Sequence, residues 1–149
     1  MPTPSITRRT TGAADVAPRR ESRERALGLC YELEVRDITV TDLLSDLPVE
    51  PDEYALELLR GVEAHCEDLD RLLSEYSEHW AVERMPAVDR AVLRLGCYEL
   101  AHEPDVPTAV VISEAVDLAK QYSTKDSGRF VNGLLARIAE QVRTPSPSA

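Results

Sequence analysis

Arginine and aromatic residues occur close together in two widely separated stretches of the chain. They are Arg19, Arg20, Arg23 and Tyr31 in the first stretch, and Arg129 and Phe130 in the second. Guanidinium groups bind phosphate oxygens, and planar rings stack on unpaired bases. The combination suits single-stranded RNA better than a duplex, whose bases are already stacked. RNA recognition is therefore one candidate function.

Each stretch also has a simpler explanation. Glu21 and Glu24 can pair with the neighbouring arginines, which would leave only a solvated, charged start of a helix. Phe130 can be an aromatic residue at the edge of the core. An RNA-binding protein and a helical adaptor that binds only proteins thus both remain open from the residues alone.

Sequence motifs of catalysis are absent from the chain. It has no glycine-rich phosphate-binding loop, no nucleophile elbow and no zinc-protease motif. Cys30, Cys66 and Cys97 lie more than 30 residues apart, a spacing that predicts buried free thiols and no thiolate metal site. The single Glu-x-x-His spacing, Glu99 with His102, is half of a di-metal motif at most. We expect no enzyme, no cofactor and no metal.

Composition indicates one acidic domain with a basic arm. The 149 residues carry a net charge of -10 and are 43% hydrophobic, which is enough for a core without disulfides. Residues 1–25 nevertheless contain six arginines and three acids. No apolar run is long enough for a membrane span or a secretory signal, so we expect a cytoplasmic protein without a membrane partner.

Helical periodicity runs through almost the whole chain. Ala26, Leu29, Cys30 and Leu33 form one stripe of a helix over 22–34. A short helix is predicted over 41–47, and a long one from Pro51 or Asp52 to Tyr76, with a short heptad seam. The next helix, 86–102, is apolar around most of its circumference and should be central. Only Asp89, Arg90 and Arg94 form a polar stripe on it.

Two further helices are predicted over 107–142, joined by a short polar turn at 125–130. In the first, the apolar face comprises Ile112, Ala115, Val116, Ala119 and Tyr122. In the second, it comprises Val131, Leu134, Leu135, Ile138 and Val142. Asp126 or Ser127 can cap the second helix. No alternating strand occurs, so the fold should be all-α, with disordered ends at 1–18 and 144–149 around one domain, 19–143.

Three segments together resemble one protein family. They are RRESRERALGLCYELE from Arg19, MPAVDRAVLRLGCYEL from Met85 and DVPTAVVISEAVDLAKQYSTKDSGRFVNGLL from Asp105. In this order and spacing they resemble the NusB family of bacterial antitermination factors over residues 19–140. The resemblance implies an all-α fold of about seven helices in two packed subdomains.

The resemblance also implies a function. Members of this family bind the boxA element of nascent ribosomal-RNA transcripts together with ribosomal protein NusE, and they help assemble an antitermination complex on RNA polymerase. Some members self-associate, so a homodimer is an alternative form, as is a protein-only adaptor. Glu21 and Glu24 dilute the arginine segment, which would increase the importance of NusE.

Site residues follow from the same resemblance. Arg19, Arg20 and Arg23 match the arginine-rich RNA-binding segment of the family. The other positions associated with RNA or NusE are Tyr31, Asp89, Asp126, Arg129 and Phe130. We expect Tyr31 and Asp89 to face NusE, with Tyr31 also available to RNA. Asn132 and Gly133 complete the motif, and Gly133 is expected to allow a close helix approach.

Overall fold

Seven α-helices make up the part of the chain that the computed structural model describes, residues 13–78 and 80–143, with side chains from residue 19 onward. They are α1 (Ala13–Arg36), α2 (Val40–Asp46), α3 (Glu53–Ala64), α4 (Cys66–Tyr76), α5 (Ala87–His102), α6 (Thr108–Tyr122) and α7 (Lys125–Val142). A 3-10 turn, Val82–Arg84, precedes α5. No strand occurs in these ranges. The predicted all-α fold is confirmed.

Helix α5 lies at the centre of the protein. It packs against α1, α3, α4, α6 and α7, and its apolar residues from Ala91 to Leu100 are buried. A Cβ added at Gly96 would lie 2.7 Å from a methyl carbon of Leu135, so the absence of a side chain lets α7 approach closely. The prediction of a central helix is confirmed, because five helices cover its surface.

The predicted long helix over 51–76 is wrong, because two helices occupy this range. Helix α3 ends at Ala64 and α4 begins at Cys66, with His65 between them at φ −112° and ψ 17°. Helix α3 packs against α1 and α5, whereas α4 packs against α5 and α7. The break lets the two apolar faces follow different neighbours, which the single heptad seam did not anticipate.

Helix α1 is longer than predicted. It begins at Ala13, so residues 13–18 are helical and not part of a disordered arm. Residues 1–12 and 144–149 lie outside the described residues, as do the predictions made for them. Among the cysteines, Cys30 and Cys97 are buried as expected, but Cys66 is only half-buried.

The buried face of α6 differs from the predicted one. Val111, Ala115, Leu118 and Ala119 are buried, whereas Tyr122 is exposed. The whole face is rotated because Glu114, expected on the polar side, points inward and binds an arginine of α1. The face of α7 is confirmed except at Val142, which is partly buried.

The cap of α7 is a different residue from those predicted. Thr124 precedes the helix and its hydroxyl accepts from the backbone N–H of Ser127 at 3.1 Å. Residues 125–130, predicted as a turn, are therefore the first turns of α7. None of the described helices is long and apolar enough to cross a membrane, and no metal-binding group of three side chains occurs among the described residues.

Candidate nucleic-acid interface

Arg23 lies inside the protein. Its side chain is 4% exposed, and its Nε lies 3.0 Å from both carboxylate oxygens of Glu99. The hydroxyl of Tyr54 donates to the same carboxylate at 2.5 Å. Burial, followed by the charge of Glu99, raises the pKa of Tyr54. Arg23 therefore does not belong to the exposed cationic ridge that its spacing predicts, because α5 supplies a buried partner for it.

Arg20 is both paired and accessible. Its Nε donates to Glu114 Oε1 at 3.0 Å and its terminal nitrogen to Oε2 at 2.5 Å, while Asp117 lies 3.6 Å away. The hydrogen bonds that Arg20 donates to Glu114, and then the charge of Glu114, raise the pKa of Arg20. The Arg20 side chain is nevertheless 56% exposed, whereas that of Glu114 is 7% exposed. Arg20 can thus reach an external phosphate from its position on α1.

Arg19 lies on an aromatic ring instead of pointing freely into solvent. Its guanidinium carbon is 4.3 Å from the centroid of the Tyr54 ring, on the same residue that binds Glu99. A cation over a ring at this distance is in cation–π range. The three predicted arginines therefore occupy three different environments: Arg23 is buried, Arg19 is half-buried, and Arg20 is exposed.

The end of α6 lies beside α1. The Tyr122 hydroxyl donates to Glu24 at 2.7 Å. Together with Leu27, Gly28 and Val88, these two residues and Tyr31 line a surface cavity of about 260 Å³. Tyr31 is 41% exposed there. These contacts place the end of α6, and not residues 125–130, against the part of α1 that carries Tyr31.

Asp89 is buried, contrary to an expected exposed position. It is 1% exposed, and its Oδ2 accepts from the Ser127 hydroxyl at 2.8 Å. The Ser127 hydroxyl also lies 3.0 Å from that of Thr124, the cap of α7. Asp89 therefore ties the start of α5 to the start of α7. Its neighbour Val88 contributes to the cavity that Tyr31 lines.

The first turns of α7 present cations to solvent. Lys125 and Arg129, with Lys120 of α6, line an open groove of about 580 Å³ between the two helices. All three are exposed, and none forms an ion pair with a described residue. Asp126 is exposed on the same turn. At Gly128 an added Cβ would lie 2.9 Å from Lys120 Cγ, so the lysine chain passes over this glycine.

Phe130 stands at the border between this surface and the core. Its ring is partly buried and packs against the core, and its centroid lies 5.3 Å from that of Trp80 at an interplanar angle of 57°. Trp80 itself is 42% exposed. Sequence patterns do not predict this contact, because it joins residues 50 positions apart.

Gly133 does not have the predicted role. A Cβ added there would meet only the Arg137 side chain, at an ordinary 3.6 Å. The glycines whose neighbours leave no room are Gly61, Gly96 and Gly128. Nothing in the described packing around Gly133 requires a close helix approach.

Comparison with known proteins gives one consistent family. The sequence model of the NusB family matches residues 20–140. A relative from Kineococcus radiotolerans, named transcription antitermination protein NusB, is 46% identical over 135 residues, covering 88% of this chain and 99% of the relative.

Solved structures show the same fold. NusB from T. maritima is 40% identical, with a TM-score of 0.75, over 83% of this chain and 92% of that one. A structure described as antitermination factors NusB and NusE in complex with dsRNA is 27% identical, with a TM-score of 0.71, over 83% of this chain and 96% of that one.

Proposed function

This chain belongs to the NusB family of transcription antitermination factors, and we propose that it binds the boxA element of nascent ribosomal-RNA transcripts together with ribosomal protein NusE. It then helps to assemble an antitermination complex on RNA polymerase. It works by binding and not by catalysis. The proposal is supported by a related structure that joins NusB, NusE and double-stranded RNA.

One observation carries the proposal for RNA. The first turns of α7 carry Arg129, whose guanidinium is exposed and forms no ion pair with a described residue, and Phe130, whose ring is partly buried. The same helical turn thus offers a cation for a phosphate and a ring for a base, the two kinds of group that bind single-stranded RNA. Asp126, exposed one turn earlier, can accept hydrogen bonds from base amino groups.

Helix α1 supplies further contacts. Arg20 offers its exposed guanidinium to a phosphate, and Arg19 contributes charge beside it. Arg23 acts from inside the protein, because its bond to Glu99 fixes α1 against α5. Tyr31 serves either the RNA or NusE from the cavity at the junction of α1 and α6.

Binding of NusE is assigned to the surface around Tyr31. Leu27, Val88 and Tyr122 surround Tyr31 there and offer an apolar depression to a partner. Asp89 supports this surface indirectly, because it follows Val88, which lines the surface, and it anchors α5 to α7. Asp89 thus positions the surface that binds NusE without itself contacting NusE.

Fluorescence anisotropy tests the proposal. A labelled boxA single strand and a scrambled strand of equal composition are titrated with the chain, with and without NusE, over a range of salt. We expect saturable binding of boxA that NusE strengthens and that weakens as salt rises. Binding of NusE with no RNA enhancement at any salt would instead establish a protein-only adaptor.

A self-associated form is tested separately. Sedimentation over a range of concentrations should give the mass of a monomer in the presence of NusE and RNA. A dimer that releases RNA as concentration rises would identify a storage form in place of the proposed active one.

A further inference from the structure

We propose that Trp80 is a second base-stacking residue, forming with Phe130 a two-ring site for adjacent unpaired bases of RNA. The inference rests on the proposed function, since it names a new contact within the same RNA surface. It is carried by the placement of the Trp80 ring, its exposure and the cations on the first turns of α7.

The segment that bears Trp80 is held along α7. Arg137 Nε donates to the carbonyl of Tyr76 at 3.2 Å and so fixes the end of α4 to α7. Phe130 precedes Arg137 by seven residues, which places both on one face of the helix about two turns apart. The chain therefore runs from Tyr76 at the level of Arg137 to Trp80 at the level of Phe130.

Further hydrogen bonds fix both ends of this segment. The Ser77 hydroxyl donates to the carbonyl of Trp80 at 2.8 Å, which closes the turn that carries the ring. On the other side, Arg90 donates to the carbonyls of Val82 and Met85 at 3.0 and 2.8 Å. The backbone around Trp80 is thus anchored before and after the ring, as a binding platform requires.

The two rings differ in accessibility. Phe130 is partly buried against the core, whereas Trp80 is 42% exposed although it already packs against Phe130. Their planes are inclined by 57°, so their faces point in different directions. A base on one ring does not block the other. The indole, as the larger and more exposed surface, is the better platform of the two.

The charge on the first turns of α7 favours a nucleic acid as the occupant. Arg129 precedes Phe130 and is exposed without an ion pair among the described residues. Lys125 lies one turn earlier on α7 and is equally exposed. A single strand whose bases stack on Trp80 and Phe130 can place neighbouring phosphates on these cations where it passes the first turns of α7.

The test uses the emission of Trp80, which is the chain's single tryptophan. An unlabelled boxA strand is titrated into the full chain while emission is followed, and anisotropy of a labelled strand is measured in parallel. We expect saturable quenching with the same midpoint as the anisotropy. Binding that leaves the emission unchanged overturns the role of Trp80 alone, whereas the absence of any RNA binding overturns the proposed function with it.

Variants separate stacking from folding. Trp80→Ala should weaken RNA binding by roughly 5- to 100-fold, the loss of one base–ring contact, and Trp80→Phe should recover most of it. Val49→Ala is the control: it removes another apolar side chain, which is 64% exposed, and should leave the RNA affinity unchanged. If Trp80→Ala binds RNA with the same affinity as the intact chain, the proposal is contradicted. It is also contradicted if NusE alone quenches the emission of Trp80 and RNA does not. If Trp80→Ala fails to fold, the RNA affinity of Trp80→Phe and the quenching titration still show whether Trp80 contacts RNA.

Discussion

The arginines of α1 and the cations of α7 differ in how far other residues of the protein already bind them. On α1, Arg23 is buried against Glu99, Arg19 lies on Tyr54, and Arg20 is bound by Glu114. On α7, Arg129 is exposed without an ion pair among the described residues. Charge near a functional surface is therefore a poor guide to function until its internal partners are known.

This difference assigns distinct tasks to the two regions. Helix α1 uses much of its positive charge to hold itself against α3, α5 and α6, through Tyr54, Glu99 and Glu114. At the start of α7, Lys125 and Arg129 are exposed and form no ion pair with a described residue. We therefore expect substitutions in α1 to alter mainly stability, and substitutions in α7 to alter mainly RNA affinity.

The largest expected effect is on stability. Arg23→Ala leaves Glu99 buried without its cation and should lower the free energy of unfolding by about 3 kcal/mol or more, measured by denaturant unfolding. Arg36→Ala is the matched control, because Arg36 is an exposed arginine of the same helix that pairs with Glu32 and Asp46. It should cost less than about 1 kcal/mol. Similar losses for both variants would contradict the buried role of Arg23.

Phe130→Ala tests the start of α7, the second of the two regions. We expect RNA affinity to fall by about 1 to 3 kcal/mol, because a stacking ring is lost, as measured by anisotropy on a variant shown to be folded by circular dichroism. Phe130→Tyr retains the ring and should retain the affinity. A folded Phe130→Ala chain with unchanged RNA affinity would make Phe130 a packing residue only.

Asp89 distinguishes a supporting residue from a contact residue. In Asp89→Asn the amide oxygen can still accept from Ser127, so we expect NusE affinity to stay within about threefold, a change under 1 kcal/mol. Asp89→Ala removes the acceptor of a buried hydroxyl and should lower stability by about 1 to 3 kcal/mol. A large loss of NusE affinity in a stable Asp89→Asn chain would show a direct contact.

The smallest effect is on the salt dependence of RNA binding. Arg129→Ala should reduce the slope of log affinity against log salt by about 0.7, the value of one single-strand phosphate contact. Arg20→Ala should reduce it by less, because Glu114 already neutralises part of its charge. A larger reduction of the slope for Arg20→Ala than for Arg129→Ala would place the phosphate contact on α1.

The sequence predicts the elements well where burial alone determines them. The stripes of α5 and α7 and the start of the short helix α2 follow from residue periodicity, and these helices occur as expected. The aromatic and charged residues at the start of α7 are also visible in the sequence. Their assignment to RNA comes from the family resemblance, since spacing alone does not distinguish a core edge from a binding surface.

Pairings between distant residues are what the sequence does not reveal. Arg23 and Glu99 are 76 positions apart, and Arg20 and Glu114 are 94 apart. Glu114 therefore looks like a solvent-facing residue, and the α6 face is predicted one position away from the observed one. The break at His65 escapes prediction for a similar reason, because it depends on which neighbours α3 and α4 pack against.

The comparison between the two regions is tested most directly by two double variants bound to NusE. Anisotropy of boxA RNA is measured for Arg129→Ala/Phe130→Ala and for Arg19→Ala/Arg20→Ala at one salt concentration. We predict that the α7 variant loses at least about tenfold more affinity than the α1 variant, a difference of about 1.4 kcal/mol. An equal or greater loss in the α1 variant would contradict the assignment of the main RNA contacts to α7.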